Sequence, residues 1–121
     1  MILALNHKTF EVYNISRRLV SECYNITRTF PASERFNIVQ QINRAALSVV
    51  LNIAEGASRK SEAERKRYFE ISRGSIIEID AALDIAKELD YLKNYKIENL
   101  SELMVRTFKI LCGLIDSKSY H

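Results

Sequence analysis

Apolar residues recur every three or four positions along most of this chain, which is the spacing of one face of an α-helix. Val12, Ile15, Leu19, Cys23 and Ile26 form the first such line and predict a helix over about Thr9 to Arg28, with Thr9 as its N-cap. Phe30-Pro31 stops it, because the residue before a proline is pushed out of the helical region. Ser33 is placed as the cap of a second helix that reaches Glu55, with Gly56 as its terminator and Ala57 to Lys60 as a short connection. Ser61-Glu62-Ala63-Glu64 spells a capping box and opens a third helix that runs to about Leu89. Asp90 to Lys93 is a turn, and Asn94 is placed as the cap of a fourth helix. The inward line of that helix is Ile97, Leu100, Met104, Phe108, Leu111 and Ile115. Four amphipathic helices with short connections predict an all-α, antiparallel up-down-up-down four-helix bundle, with residues 1–121 forming one domain.

Two helices depart from the ordinary surface pattern. In the second, Gln41, Arg44, Ser48, Asn52 and Glu55 fall within about 80° of one another and are framed by apolar residues. So narrow a polar line belongs to a helix buried on most sides. The third helix carries two apolar lines. Phe69, Ser72, Ile76, Ile79, Leu83 and Ala86 form one, and Ile71, Ser75, Glu78, Ala82, Ile85 and Leu89 form the other. Together they exceed the stripe needed to face a single core. The second line, through Ile71, Ala82, Ile85 and Leu89, is therefore assigned to a contact with a neighbouring chain in a homo-oligomer.

Composition supports the helical reading, since one Pro and three Gly leave little punctuation. Cys23 and Cys112 lie far apart without metal-ligand spacing and are expected to be reduced apolar fillers. Met1 to Phe10 does not resemble a secretory signal, and no apolar run approaches the ~18 residues of a membrane span. A soluble, cytoplasmic protein is the expectation. Net charge is +3, but unevenly placed, because residues 1–73 carry 12 basic and 7 acidic residues. Arg59, Lys60, Arg65, Lys66 and Arg67 make the densest basic run and are candidates for phosphate contacts. Glu62, Glu64 and Glu70 are interleaved with them, so a solvated face with local ion pairs is the other reading.

Catalytic chemistry is harder to find. A di-metal bundle needs Glu-x-x-His pairs on inward faces, and the two histidines, His7 and His121, stand near the chain ends. Neither cysteine has a histidine nearby in sequence, and no G-x-S-x-G elbow or glycine-rich phosphate loop is present. The sequence therefore calls for no catalytic residue, no metal and no cofactor. Arg44, Asn52, Glu55, Ser75 and Glu78 remain as polar residues of the second and third helices. They form either an interhelical hydrogen-bond network that fixes register or a small pocket with two carboxylates. Gly74, inside the third helix, is expected to permit close backbone approach.

One set of motifs carries a resemblance. Phe30-Pro31, Gln41-x-x-Arg44-Ala45-Ala46, Ser48, Asn52-Ile53-Ala54-Glu55-Gly56 and Arg59 lie in the first half. Gly74-Ser75-x-x-Glu78 and Ile85-Ala86-x-x-Leu89-x-Tyr91-Leu92 follow. This pattern resembles the four-helix bundle family of 23S rRNA intervening-sequence proteins from about Phe10 to Leu92. The chain departs from that pattern at Val50, where relatives carry proline, and at Leu51, where a small residue is usual. The departure leaves open a kink in the second helix. The resemblance implies a bacterial protein that assembles as a ring, a homopentamer, without an assigned enzymatic activity. It also implies association with structured RNA or another nucleic acid. The other function compatible with the sequence is a protein-interaction scaffold or adaptor with no nucleic-acid role.

Overall fold

The computed structural model describes residues 3, 5 and 10–117 and contains four α-helices. Among the described residues there is no strand. α1 spans Glu11–Thr27, α2 Ile38–Ser58, α3 Glu62–Glu88 and α4 Glu98–Asp116, and a single 3-10 turn, Ala32–Glu34, precedes α2. Each helix packs on the next and α4 packs on α1, and among the described residues no diagonal pair of helices brings Cα atoms within 8 Å. The packing fits a four-helix bundle. Its core takes one stripe from every helix, including Leu19, Ile26, Ile42, Ile53, Ile79, Leu100 and Leu111, all without solvent exposure. Burial of each such side chain contributes roughly 1.5–3 kcal/mol.

Several element ends differ from the sequence expectations. Thr9, the expected first cap, lies outside the described residues, as do His7 and His121; α1 follows Phe10, which makes no side-chain cap bond. Ser33 does not cap α2. It sits in the 3-10 turn, where Glu34 and Arg35 N–H groups return to the Pro31 and Ala32 carbonyls, and α2 starts after Asn37. Gly56 does not end α2 but lies buried within it. A Cβ there would come 2.7 Å from Phe69 Cε1 and 3.1 Å from the Arg65 carbonyl oxygen. The glycine is thus a spacer that lets α3 approach, and α2 ends two residues later. Val50 is buried in an unbroken α2. The opposite correction applies to Gly74, whose absent Cβ would meet nothing within 4 Å, so no close approach depends on it.

The serine half of the capping box is formed as read: the Glu64 N–H donates to Ser61 Oγ at 3.2 Å. At the other end of α3, Asp90 takes a left-handed φ of 63°, and the Tyr91 N–H returns to the Ala86 carbonyl. Asn94 does not cap α4, which begins after Ile97. The connector is instead held by two tyrosines. Tyr91 Oη donates to Glu34 Oε2 at 2.8 Å, and its ring lies 5.4 Å from that of Phe30. Tyr95 Oη donates to Glu22 Oε2 at 2.5 Å, and Asn99 Nδ2 donates to the other oxygen at 3.0 Å.

These features set two stability predictions. Gly56→Ala should lower the denaturation midpoint, because overpacking of about 1–3 kcal/mol exceeds the ~1 kcal/mol gained in helix propensity. Gly74→Ala has only the gain and should raise the midpoint. Burial first, and then the Glu22 bond, push the Tyr95 phenol up to about 12, and the Glu34 bond and then burial push Tyr91 up as well. A raised phenol favours the protonated form in the fold. Its contribution is therefore complete below the ordinary tyrosine value of 10.0 and lost as pH rises toward about 12. Denaturation across that window should show a falling stability limb, and Tyr95→Phe should flatten it.

Candidate functional site

α2 and α3 make the most extensive contact in the bundle, and small polar residues line it. Ser72 Oγ, fully buried, donates to the Val49 carbonyl at 2.8 Å. Ser75 Oγ lies 2.8 Å from Ser48 Oγ, and Asn52 Nδ2 donates to the Ser48 carbonyl at 2.8 Å and to its hydroxyl at 3.0 Å. Asn52 and Ser75 thus meet through Ser48, which the sequence had placed on the polar line but not in the network. Three expected members lie elsewhere. Glu55 is drawn to Arg59, one turn along its own helix, at 2.9 Å. Arg44 and Glu78 are exposed and make no hydrogen bond or ion pair among the described residues. Neither carboxylate bonds to Ser48, Asn52 or Ser75.

The basic run occupies the elbow between α2 and α3, and three of its five residues are bound internally. Arg59 Nη2 bonds Glu55 and, at 3.2 Å, Tyr68 Oη; its guanidinium carbon sits 5.0 Å from the centre of the Tyr68 ring. Arg65 Nη1 donates to the Arg59 carbonyl at 3.0 Å and the Lys60 carbonyl at 2.7 Å, closing the end of α2. Lys66 Nζ pairs with Glu62 at 3.0 Å and donates to the Ser117 carbonyl at 2.6 Å, which ties α3 to the end of α4. Lys60 and Arg67 are exposed and make no such bond among the described residues.

Apolar groups are left outside the core on two separate strips. Along the α2–α3 side, Ile71, Ile85 and Leu89 are exposed, Ala82 is half-buried, and Leu47 and Leu51 are exposed on α2. Between α3 and α4, Ile77 and Val105 are exposed beside half-buried Phe108 in a groove of about 320 Å³. The second strip escaped sequence reading because Ile77 falls on neither apolar line of α3, and Val105 falls off that of α4.

Comparison with known proteins now bears on this arrangement. The family described as 23S rRNA-intervening sequence protein matches residues 8–113. The chain belongs to that family. Its fold is shared with the crystal structure of a protein of unknown function from the S23 ribosomal protein family of Bacteroides thetaiotaomicron. The two agree with a TM-score of 0.79 and 20% identity, over 88% of this chain and 99% of that one. No curated protein matches the chain.

Neither the family nor its structural relative points to an enzyme. In this intervening-sequence family member, burial first and the Glu22 charge second push the Cys23 thiol up to about 12, far from a nucleophile's range. Among the described residues no group of His, Cys, Asp and Glu could hold a metal ion, and no helix is long and apolar enough to cross a membrane. The division of the elbow into bound and outward cations is testable by stability. Arg65→Ala removes a charged donor from two carbonyls and should cost about 1–2 kcal/mol on chemical denaturation. Arg67→Ala should stay within about 0.5 kcal/mol of the parent.

Proposed function

We propose that this chain is a non-enzymatic scaffold that assembles with copies of itself and presents a repeated basic surface to structured RNA or another nucleic acid. The observation that carries the reading is the pair of exposed apolar strips on a bundle whose core is already filled. One strip would suit a two-fold dimer, in which the same patch meets itself. Two different strips suit head-to-tail contact, where one copy's patch meets the other patch of its neighbour and closure gives a ring. Ile71, Ala82, Ile85 and Leu89 form one side of that contact in this reading, and five copies is the ring size the resemblance implies. The contacts Gly56–Phe69, Val49–Ser72 and Ser48–Ser75 support an antiparallel α2–α3 pair within an up-down-up-down, single-domain bundle.

Lys60 and Arg67 are the elbow cations available to phosphate, with Arg59, Arg65 and Lys66 shaping the surface behind them. Two charges bind weakly alone, but a ring repeats them around its axis and multiplies the effect. The internal use of the other three cations favours a second reading, a protein adaptor in the bacterial cytoplasm that needs no nucleic acid.

Light scattering tests the assembly. The parent should exceed the 14.0 kDa chain mass severalfold, and Ile85→Glu should return it toward that mass. Anisotropy with structured RNA and duplex DNA tests the partner. Binding should weaken steeply with salt, and Lys60→Glu with Arg67→Glu should weaken it further while leaving the assembly mass unchanged. Absence of nucleic-acid binding at low salt, with a protein partner retained at high salt, would favour the adaptor.

A further inference from the structure

The cleft over the outer face of α2 has a chemical character that the other surfaces lack. It is open and encloses about 760 Å³; Arg35, Phe36, Val39, Gln40, Asn43 and Arg44 line its amino-terminal half, and Leu47 and Leu51 of the exposed apolar strip line the other. Two arginines line the cleft and no carboxylate does. A second groove between α3 and α4, of about 590 Å³ and reaching the connector between them, instead sets Asp80, Asp84 and Asp90 against Lys87 and Lys93. The charge of the α2 cleft follows from the local sequence, because residues 12–54 carry five arginines and two glutamates. Both glutamates are held elsewhere, Glu22 by Tyr95 and Asn99, and Glu34 by Tyr91 and Asn37.

Phe36 stands at the mouth of this cleft and is 76% exposed, more than any other large hydrophobic residue among those described. It belongs to no core stripe. The Arg35 guanidinium carbon lies over the ring, 5.3 Å from its centre, which steadies the ring and places positive charge against one of its faces. Arg44, two turns into α2, is exposed and without a bonding partner among the described residues. No side chain caps the start of α2, so its amino end adds partial positive charge at the same place.

We propose that this cleft binds a single-stranded nucleic-acid segment, with one base stacked on Phe36 and phosphates paired to Arg35 and Arg44. A stacking ring needs a base whose face is free, which a duplex does not offer. The two arginines are nine positions apart along a mostly helical stretch, roughly 13 Å, so they meet different phosphates. Between them Gln40 offers an amide donor and acceptor to base edges, and Asn43, whose Oδ1 accepts from Thr27 Oγ1 at 3.0 Å, offers its amide N–H groups. The site is separate from the Lys60 and Arg67 surface and does not depend on it.

The test titrates the full chain with a short single-stranded RNA carrying one 2-aminopurine, read by anisotropy and by quenching of that base. Saturable binding with quenching is expected. Phe36→Ala should abolish the quenching and weaken binding roughly 5- to 100-fold. Arg35→Gln with Arg44→Gln should lower the logarithmic salt slope by about 1.4. All three side chains are exposed, and circular dichroism checks that the variants fold. Lys60→Glu with Arg67→Glu should leave the quenching unchanged; its loss in that variant would put the stacked base at the elbow and overturn the proposal. Unchanged quenching in Phe36→Ala, no binding at low salt, or equal displacement by an acidic phosphopeptide would also overturn it.

Discussion

The close approach of α2 to α3 is the constraint from which most of the bundle's detail follows. It requires small residues along the seam: Gly56 where Phe69 presses on the backbone, and Ser48, Ser72 and Ser75 where hydroxyls replace bulk. A seam of larger side chains would hold the helices apart and open the core behind it. The serines also fix the axial position of one helix against the other, since a shift of one turn would leave the buried Ser72 hydroxyl without its acceptor. Because both helices give small residues to this seam, their larger apolar side chains on the outer flank stay in solvent, at Leu51, Ile71 and Ile85.

Charge is spent in a comparable way. The densest cationic segment of the chain works largely on its own backbone. Arg65 satisfies carbonyls of the short connection between α2 and α3, and Lys66 does the same for the residue that follows α4. Net charge and clustering along the sequence therefore overstate what the elbow can offer a partner. The α1–α2 face has fewer cations, but its carboxylates are engaged elsewhere, and its arginines remain outward.

What was legible in the sequence follows from how far each interaction reaches. The apolar lines of all four helices could be read, because periodicity is local and core burial repeats it. The capping box at Ser61 could be read for the same reason. Gly56 misled because its role is set by Phe69 on the neighbouring helix, and Ser33 and Asn94 misled because the chain turns once more before α2 and α4 begin at Ile38 and Glu98. The polar seam was half legible. Asn52 and Ser75 were visible as buried polar positions, but their meeting at Ser48 depends on the register between helices. Glu55 had a competing partner four residues away in Arg59, a local signal that outweighed the interhelical one. Phe36 carried no periodic signal, since it lies between elements.

The bundle is fastened differently at its two ends. Neutral phenols donating to carboxylates secure the end where the α3–α4 connector meets α1 and the 3-10 turn. At the elbow, cations reach carbonyls and exposed acids. Dissolved ions screen the second kind of fastening and hardly touch the first, whereas a proton-poor solution does the reverse. The molecule is thus a rod whose tips fray under unrelated conditions, and whichever tip loosens first is chosen by the solvent and not by the helices between.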